Sequence, residues 1–534
     1  MKITATFHTG KSRTFTLEKG QTLVQGLFLQ GGFQDIPLCA GLGKCGLCKV
    51  QFTKLCPPPA AGDSRRLTKE QLAEGWRLSC LHNSSTLWKL ISEKSSSEED
   101  TTIAITLPEP PIKVTRKVVP NAVQGEHLTL AVDLGTTGLQ WQAVNDGKVF
   151  SEGKQLNPQS GLGSEVMSRL AYASTPQGAT ALQSLVTNTL YDICQTLEHS
   201  GAVVDEIIVS GNSSMTYLLL GLDVSPIATA PYTLPYKGDE NHILQAEGGP
   251  LPPLYIPPLY APFVGADLSA GLLALLNEEP AFPFLLADLG TNGEFILIGK
   301  DRTKYCTSVP MGPALEGVGL THGRVAAPEC IYDFTLTPAG ISHKTIDPAV
   351  TKPEGITGTG YIALTALLLS TGVITESGLF TTTPPAHPFG KKLWKYVDRS
   401  ADEPYFHIGS TDMKLAASDI EEILKVKAAF NLATSALLKK AQLSPAHLKH
   451  IFLAGAMGEH INTAHLETLG FIPTGAGKRT GQSGNTSLRG TVLLQDKETR
   501  NKLRNIPVPE LIDLTEDSNL DQHFLERMKF TYVQ

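Results

Sequence analysis

Four cysteines carry the first chemistry this sequence can do. Cys39, Cys45, Cys48 and Cys80 follow the spacing C-x5-C-x2-C-x31-C, and the first three share a loop with Gly41, Gly43 and Gly46. Thiolates are the ligands an iron–sulfur cluster needs. Glycines let backbone N–H groups turn towards the sulfurs, and a distant fourth cysteine closes the cage. Zinc is the alternative for the same residues, although zinc usually takes two closely spaced pairs and this loop has one C-x2-C and two lone cysteines. Cys56, Cys194, Cys306 and Cys330 stand singly and read as ordinary buried or loop thiols.

The second chemistry lies in residues 132–138, Val-Asp-Leu-Gly-Thr-Thr-Gly, which return almost unchanged at 287–293 as Ala-Asp-Leu-Gly-Thr-Asn-Gly. Each copy reads as an apolar strand ending in Asp, a Gly/Thr turn and a second strand. Such a hairpin grips phosphate. Gly135 and Gly290 let the backbone approach an anion, the turn N–H groups form a small nest, and Thr136, Thr137, Thr291 and Asn292 add donors. Asp133 and Asp288 at the strand ends can hold Mg2+, usually through its waters. Glu294, just past the second turn, is placed to act as a base or to position a water. A lone Asp-x-Gly-Thr is often only a turn; two copies in matching strands indicate a duplicated architecture.

These motifs must be held by separate units. The chain has 534 residues, 41% hydrophobic and 18% charged, enough for three or four domains with substantial cores. Net charge is −7 with no long Lys/Arg cluster, which argues against nucleic acid as the partner. Neither a transmembrane helix nor a signal peptide is indicated, so a cytoplasmic protein without a membrane partner is expected. Eight cysteines there suggest metal or redox chemistry rather than disulfides.

Residues 1–92 read as a small module: a hairpin, a helix near residues 22–30, then the cysteines. Residues 93–126 read as a linker, flexible in its Ser/Glu half and semi-rigid in its Pro-rich half, so that the module can swing. Residues 127–280 and 281–534 read as two α/β halves, each with a hairpin, a third strand and a strand–helix unit. In the second half, Ser418 and Glu421 read as a capping box. Residues 451–458, Ile-Phe-Leu-Ala-Gly-Ala-Met-Gly, turn on glycines from a strand into a helix, and Gly455 and Gly458 suit a flat adenosine.

The cysteine loop resembles ferredoxins whose first gap is five residues. Two phosphate hairpins and an adenosine loop, in this order, resemble the acetate and sugar kinase, Hsp70 and actin superfamily. Together with residues 211–215, 312–317 and 358–360, these motifs make the chain similar to the reductive activators of corrinoid proteins. The resemblance implies a β-grasp [2Fe–2S] ferredoxin-like domain ahead of a two-lobed, actin-like ATPase built from duplicated RNase H-like halves. It also implies one-electron, ATP-dependent reduction of a partner's cob(II)amide to cob(I)amide, which restores methyl transfer. A corrinoid protein and a low-potential electron donor are then partners, ATP and Mg2+ are bound, and pairing of two chains through the ATPase stays open. The stretch 92–126 is too short for the extra middle domain some members carry, and Thr357 stands where the family pattern has cysteine. A small-molecule kinase with a regulatory cluster is the alternative, with Glu294 as its base.

Overall fold

The computed structural model describes every residue except 34, 35, 37, 39, 40, 42, 44, 95–101, 110–123, 164, 318, 339, 410 and 456–460. Alternation in Lys2–Thr6 and Ser12–Thr16 puts Ile3, Ala5 and Phe15 on one buried face, and the two strands pair antiparallel. Helix Leu23–Leu29 covers that face. Its entry is fixed by a capping box in which Thr22 accepts from the Gln25 N–H while the Gln25 side chain accepts from the Thr22 N–H.

The sheet of this module has five strands in the order Ser12–Thr16, Lys2–Thr6, Ile103–Thr106, Lys49–Lys54, Trp76–Leu78, a β-grasp arrangement. Its middle strand comes from the stretch expected to be linker. Ile103–Thr106 runs parallel to Lys2–Thr6 and antiparallel to Lys49–Lys54, with Ile103 and Ile105 fully enclosed. The module therefore extends past the boundary expected at residue 92, at least to Leu107, whose N–H bonds the Thr6 carbonyl. Four residues between a charged run and prolines are too few to display a period of two. The rest of the expected linker, 95–101 and 110–123, lies outside the described residues.

Two six-stranded sheets form the lobes. Read from the third strand, the first runs Lys148–Leu156, Gly138–Asn145, His127–Leu134, Val203–Gly211, Leu254–Ile256, with the short Glu240–His242 beyond. The second repeats it as Lys304–Pro310, Asn292–Ile298, Phe284–Leu289, His450–Ala454, Thr480–Gly484, with Glu510–Leu511 added at the opposite edge. In both, the strand ending in Asp pairs antiparallel with its hairpin partner and parallel with the later strand. This is the duplicated α/β plan.

The long helix of the second lobe is Ala417–Lys440, and its cap differs from expectation. Asp419, not Glu421, reaches back to the Ala416 N–H, so the helix starts before Ser418. Asp419 also accepts from the Thr321 N–H, a tertiary bond invisible to a local pattern.

Buried apolar residues of the cluster module and of the first lobe form one continuous core, joined where the helix Leu23–Leu29 meets the short turn Ser160–Leu162. The expectation of a freely swinging module is corrected on this point: the module is packed onto the ATPase.

Because the middle strand holds the module's sheet together, Ile105→Ala should destabilise the module by about 2–5 kcal/mol. Denaturation followed through the cluster's visible absorption measures this, and an unchanged midpoint would return residues 103–106 to the linker.

Candidate functional site

The cysteines come first. Cys45, Cys48 and Cys80 line one cavity of about 110 Å³. Cys48 precedes the strand Lys49–Lys54 and Cys80 follows Trp76–Leu78, so the pairing of these strands brings the two thiols together. Gly41, Gly43 and Gly46 have left-handed backbones that a side chain would strain. They let the loop curl so that the Leu47 N–H donates to Cys45 Sγ at 3.4 Å, the kind of N–H···S bond a cluster loop supplies. Cys39 lies outside the described residues. Cys56 has its Sγ at the carbonyls of Pro57 and Gly75 and is not among the residues lining this cavity. The donor set and its shared space fit a [2Fe–2S] cluster. The opposite wall of the cavity is the first lobe, through residues 160–163 and Ser168.

The two Asp–Gly–Thr hairpins meet at the junction of the lobes. Thr137 Oγ1 and Thr291 Oγ1 are 3.1 Å apart, so the turns touch. Gly135 accepts through its carbonyl from Asn157 Nδ2 at 2.6 Å, and Thr136 through its carbonyl from Arg169 Nη2 at 2.6 Å. Within the second turn the Gly290 N–H donates to the Asn292 carbonyl at 3.0 Å. Gly455 is left-handed, and a Cβ there would lie 2.6 Å from Asp288 Oδ1, so this glycine is required by its approach to the second hairpin. Gly458 lies outside the described residues.

Five carboxylates converge here. Asp133 accepts from Asn485 Nδ2 and Ser487 Oγ, both at 2.7 Å, from the capped start of helix Thr486–Leu493. Glu294, which is buried, accepts from Asn212 Nδ2 at 2.8 Å. Glu316 accepts from Thr291 Oγ1 at 3.4 Å. Surrounding protein raises the carboxyls of Asp133, Asp288, Glu294 and Glu316 above their ordinary range. Repulsion adds to this: Asp267 and Asp133 act on Asp288, and Asp267 and Asp288 on Glu294. Asp267, in the first turn of helix Ala266–Leu276, is pushed up to about 7 by burial and then by Asp133.

The counter-charge is Arg169, wholly enclosed and pushed down to about 9 by burial, with Glu316 working in the other direction. Its Nε donates to the Gly163 carbonyl at 2.8 Å while Nη2 holds Thr136. Sequence reasoning found Asp133, Asp288 and Glu294 and missed Asp267, Glu316, Arg169, Asn485 and Ser487. Each of those comes from a segment without a repeated motif. Two of them had a local setting: Asp267 lies in Gly-Ala-Asp at a helix start, and Glu316 lies within residues 312–317, a stretch that carries part of the resemblance.

Paired donors, close turns and excess carboxylate suit a polyphosphate carrying Mg2+, since the cation relieves the repulsion that the fold imposes. Among the described residues no three Cys, His, Asp or Glu side chains converge tightly enough to hold one bare ion.

Three family models match the chain: a 2Fe-2S iron-sulfur cluster binding domain over residues 6–83, the RACo middle region over 128–277, and the C-terminal domain of RACo, the ASKHA domain, over 283–533. The family's middle region is thus the first lobe itself, and no insertion between residues 92 and 126 is needed. The chain is 28% identical over 424 residues to the corrinoid activation enzyme RamQ of Eubacterium limosum, covering 75% of this chain and 70% of that one. It is 26% identical over 402 residues to the [Co(II) methylated amine-specific corrinoid protein] reductase of Methanosarcina barkeri, covering 67% and 68%. The solved structure of a reductive activator for a corrinoid,iron-sulfur protein superposes with a TM-score of 0.66 at 21% identity, over 100% of this chain and 99% of that one, which shows the same fold.

Two outcomes follow from this geometry. Iron analysis should give two irons per chain, retained in Cys56→Ser and lost or damaged in Cys80→Ser; zinc in their place would overturn the assignment. Asp267 holds its proton more tightly in the folded chain than its ordinary value of 3.8 allows, so its ionisation opposes folding and stability falls as pH rises from about 4 to about 7. Asp267→Asn should therefore gain Tm over the native protein as pH rises through that window, by about 2–4 °C per kcal/mol of charging cost removed, a cost set first by burial and then by Asp133. Thermal scans without nucleotide at several pH values measure the gap, and a gap independent of pH would place Asp267 outside the cluster of charges.

Proposed function

The chain belongs to the RACo family of corrinoid-protein activators, a 2Fe-2S domain ahead of an ASKHA ATPase, and from that premise we propose how its own residues divide the work. It is an ATP-dependent reductive activator that restores a corrinoid protein by returning inactive cob(II)amide to cob(I)amide. Cys39, Cys45, Cys48 and Cys80 hold the cluster, which takes up and gives up one electron at a time. The electron arrives from a low-potential donor and leaves to the partner's cobalt.

The turns at 135–137 and 290–292 grip the phosphates through backbone N–H groups and the hydroxyls of Thr136, Thr137 and Thr291. Asp133 and Asp288 hold the hydrated Mg2+, and Asp267 stands beside both. Gly455 and Gly458 lie against the adenosine. Asn212 fixes Glu294 at 2.8 Å, which holds its carboxyl where it can orient the attacking water; a hydrated Mg2+ on Asp133 and Asp288 would supply positive charge to the phosphates. The products are ADP and phosphate.

One observation carries this reading: the space lined by Cys45, Cys48 and Cys80 has the nucleotide-binding half of the chain as its other wall. Plant-type clusters lie near roughly −400 mV, and about 59 mV of mismatch in a one-electron couple is a factor of ten. If the cobalt couple lies lower, the transfer is uphill and the nucleotide must drive it through a change of conformation.

The test follows the cob(I) absorption band of a cognate corrinoid protein. Reduction should require donor, cluster and Mg-ATP together. Asp288→Ala should lower ATP turnover and activation by about a hundredfold or more while leaving the cluster reducible, and Cys80→Ser should spare nucleotide binding but stop electron delivery. Equal reduction without ATP defeats the proposal, and phosphorylation of a small molecule favours the kinase reading.

A further inference from the structure

The cluster module is seated on both lobes at once. On the first lobe, Phe28 packs against Gly161 so closely that a Cβ at that glycine would lie 2.0 Å from the ring. The Gln25 side chain donates to the Leu162 carbonyl at 3.3 Å and Gln21 to the Tyr172 hydroxyl at 3.4 Å. On the second lobe, Arg66, at the end of helix Ala61–Arg66, donates to the Thr321 carbonyl at 3.4 Å. Thr321 is tied in turn to Asp419.

Behind the first of these contacts stands Arg169. One guanidinium bonds the Gly163 carbonyl, on the wall of the cluster cavity, and the Thr136 carbonyl, in the first phosphate turn. A fully enclosed planar group fixed at both ends leaves little freedom for one carbonyl to move without the other. Meanwhile Thr137 and Thr291 are in hydrogen-bond contact, and phosphate oxygens entering between the hairpins must part them.

We propose that residues 160–163, with Thr321, form an internal docking surface for the cluster module, and that Arg169 links this surface to the first phosphate turn, so that nucleotide binding weakens the docking. The proposal rests on the reading of the hairpins as the nucleotide site and of the cysteines as the cluster site. In the docked form the first lobe covers one face of the cluster. Filling the hairpins shifts Thr136, Arg169 and Gly163 together and separates the two lobes that the module bridges, which exposes that face to a redox partner. Reciprocity then follows: if nucleotide weakens docking, docking weakens nucleotide binding by the same factor.

The test uses the full chain with its cluster, a non-hydrolysable Mg-ATP analogue, and dithionite as a small reductant. In the native protein the analogue should speed cluster reduction by about fivefold or more, the lower end of ordinary coupling between sites. Gly161→Ala, whose Cβ cannot coexist with the docked Phe28 ring, should be reduced quickly with or without nucleotide. It should also bind the analogue more tightly by a similar factor. Arg66→Ala, which removes only the bond to the second lobe and leaves the core intact, should move both quantities the same way by less, and it covers the case in which Gly161→Ala fails to fold. Arg169→Lys keeps the charge but cannot bridge both carbonyls, and should bring the ratio of rates towards one while the cluster stays bound.

If the native protein binds both groups but its reduction rate ignores nucleotide, or if Gly161→Ala and Arg66→Ala leave analogue affinity unchanged, the coupling is wrong although the functional reading stands. If the native protein binds no nucleotide or holds no cluster, the functional reading falls and takes the coupling with it.

Discussion

Five carboxyls buried at the junction of two lobes, raised first by burial and in three of them also by a neighbouring carboxylate, are the constraint on which the rest depends. Asp133 and Asp288 arrive there because the same strand–turn–strand unit was used twice. Asp267, Glu294 and Glu316 arrive from other segments; Asp267 and Glu316 raise the cost of charging Asp288, and Asp267 and Asp288 that of charging Glu294. Donors offset part of this: Asn485 and Ser487 on Asp133, Asn212 on Glu294, the two threonines and Arg169 on Glu316. What they leave is a region that gains from a divalent cation more than a neutral cleft would, because relieving buried like charge adds to the ion's own attraction.

That arrangement explains why the duplicated halves are not symmetric in detail. Asp133 is held by a helix start from the far end of the chain, so the first hairpin is tied to residues 485–487 of the second lobe's sequence. Asp288 instead has Gly455 against it, bare backbone that a Cβ would displace. One aspartate is restrained by side chains and the other by a loop that approaches closely. A change in either lobe is therefore felt at a different carboxylate, which lets binding act on the halves unequally.

The parts legible in the sequence were those whose signal is local and repeated. The third strand of the first half, Lys148–Leu156, and the strand of its strand–helix unit, Val203–Gly211, are present as expected, since apolar runs ended by turns are read without tertiary knowledge. The cysteine spacing and the twin hairpins stood out for the same reason. Ile103–Thr106 did not, because a four-residue strand inserted at the centre of a sheet takes its identity from two neighbours far away in sequence. Arg169, on helix Val166–Ala173, belongs to no repeated motif. Its role is set by two carbonyls, Gly163 and Thr136, whose positions depend on the fold. The cap of Ala417–Lys440 was misplaced for a related reason: Asp419 and Glu421 are both acidic, and what selects Asp419 is Thr321, almost a hundred residues earlier.

If the transfer is uphill, an activator must avoid taking the electron back. A cluster open to solvent on every side would lose its electron to any oxidant with a higher potential, and most have one. Covering one face with the nucleotide-binding lobe makes that loss slower without changing the potential, because the rate of transfer depends on approach while the equilibrium does not. The covering surface is built from Ser160, Gly161, Leu162, Gly163 and Ser168, residues with short side chains or none apart from one leucine. It is backed by the buried guanidinium that also holds the phosphate turn. On the proposed coupling, protection of the reduced state and readiness for ATP would be properties of the same few contacts, and a chain that carries its ferredoxin in one piece with its ATPase would keep them at fixed effective concentration.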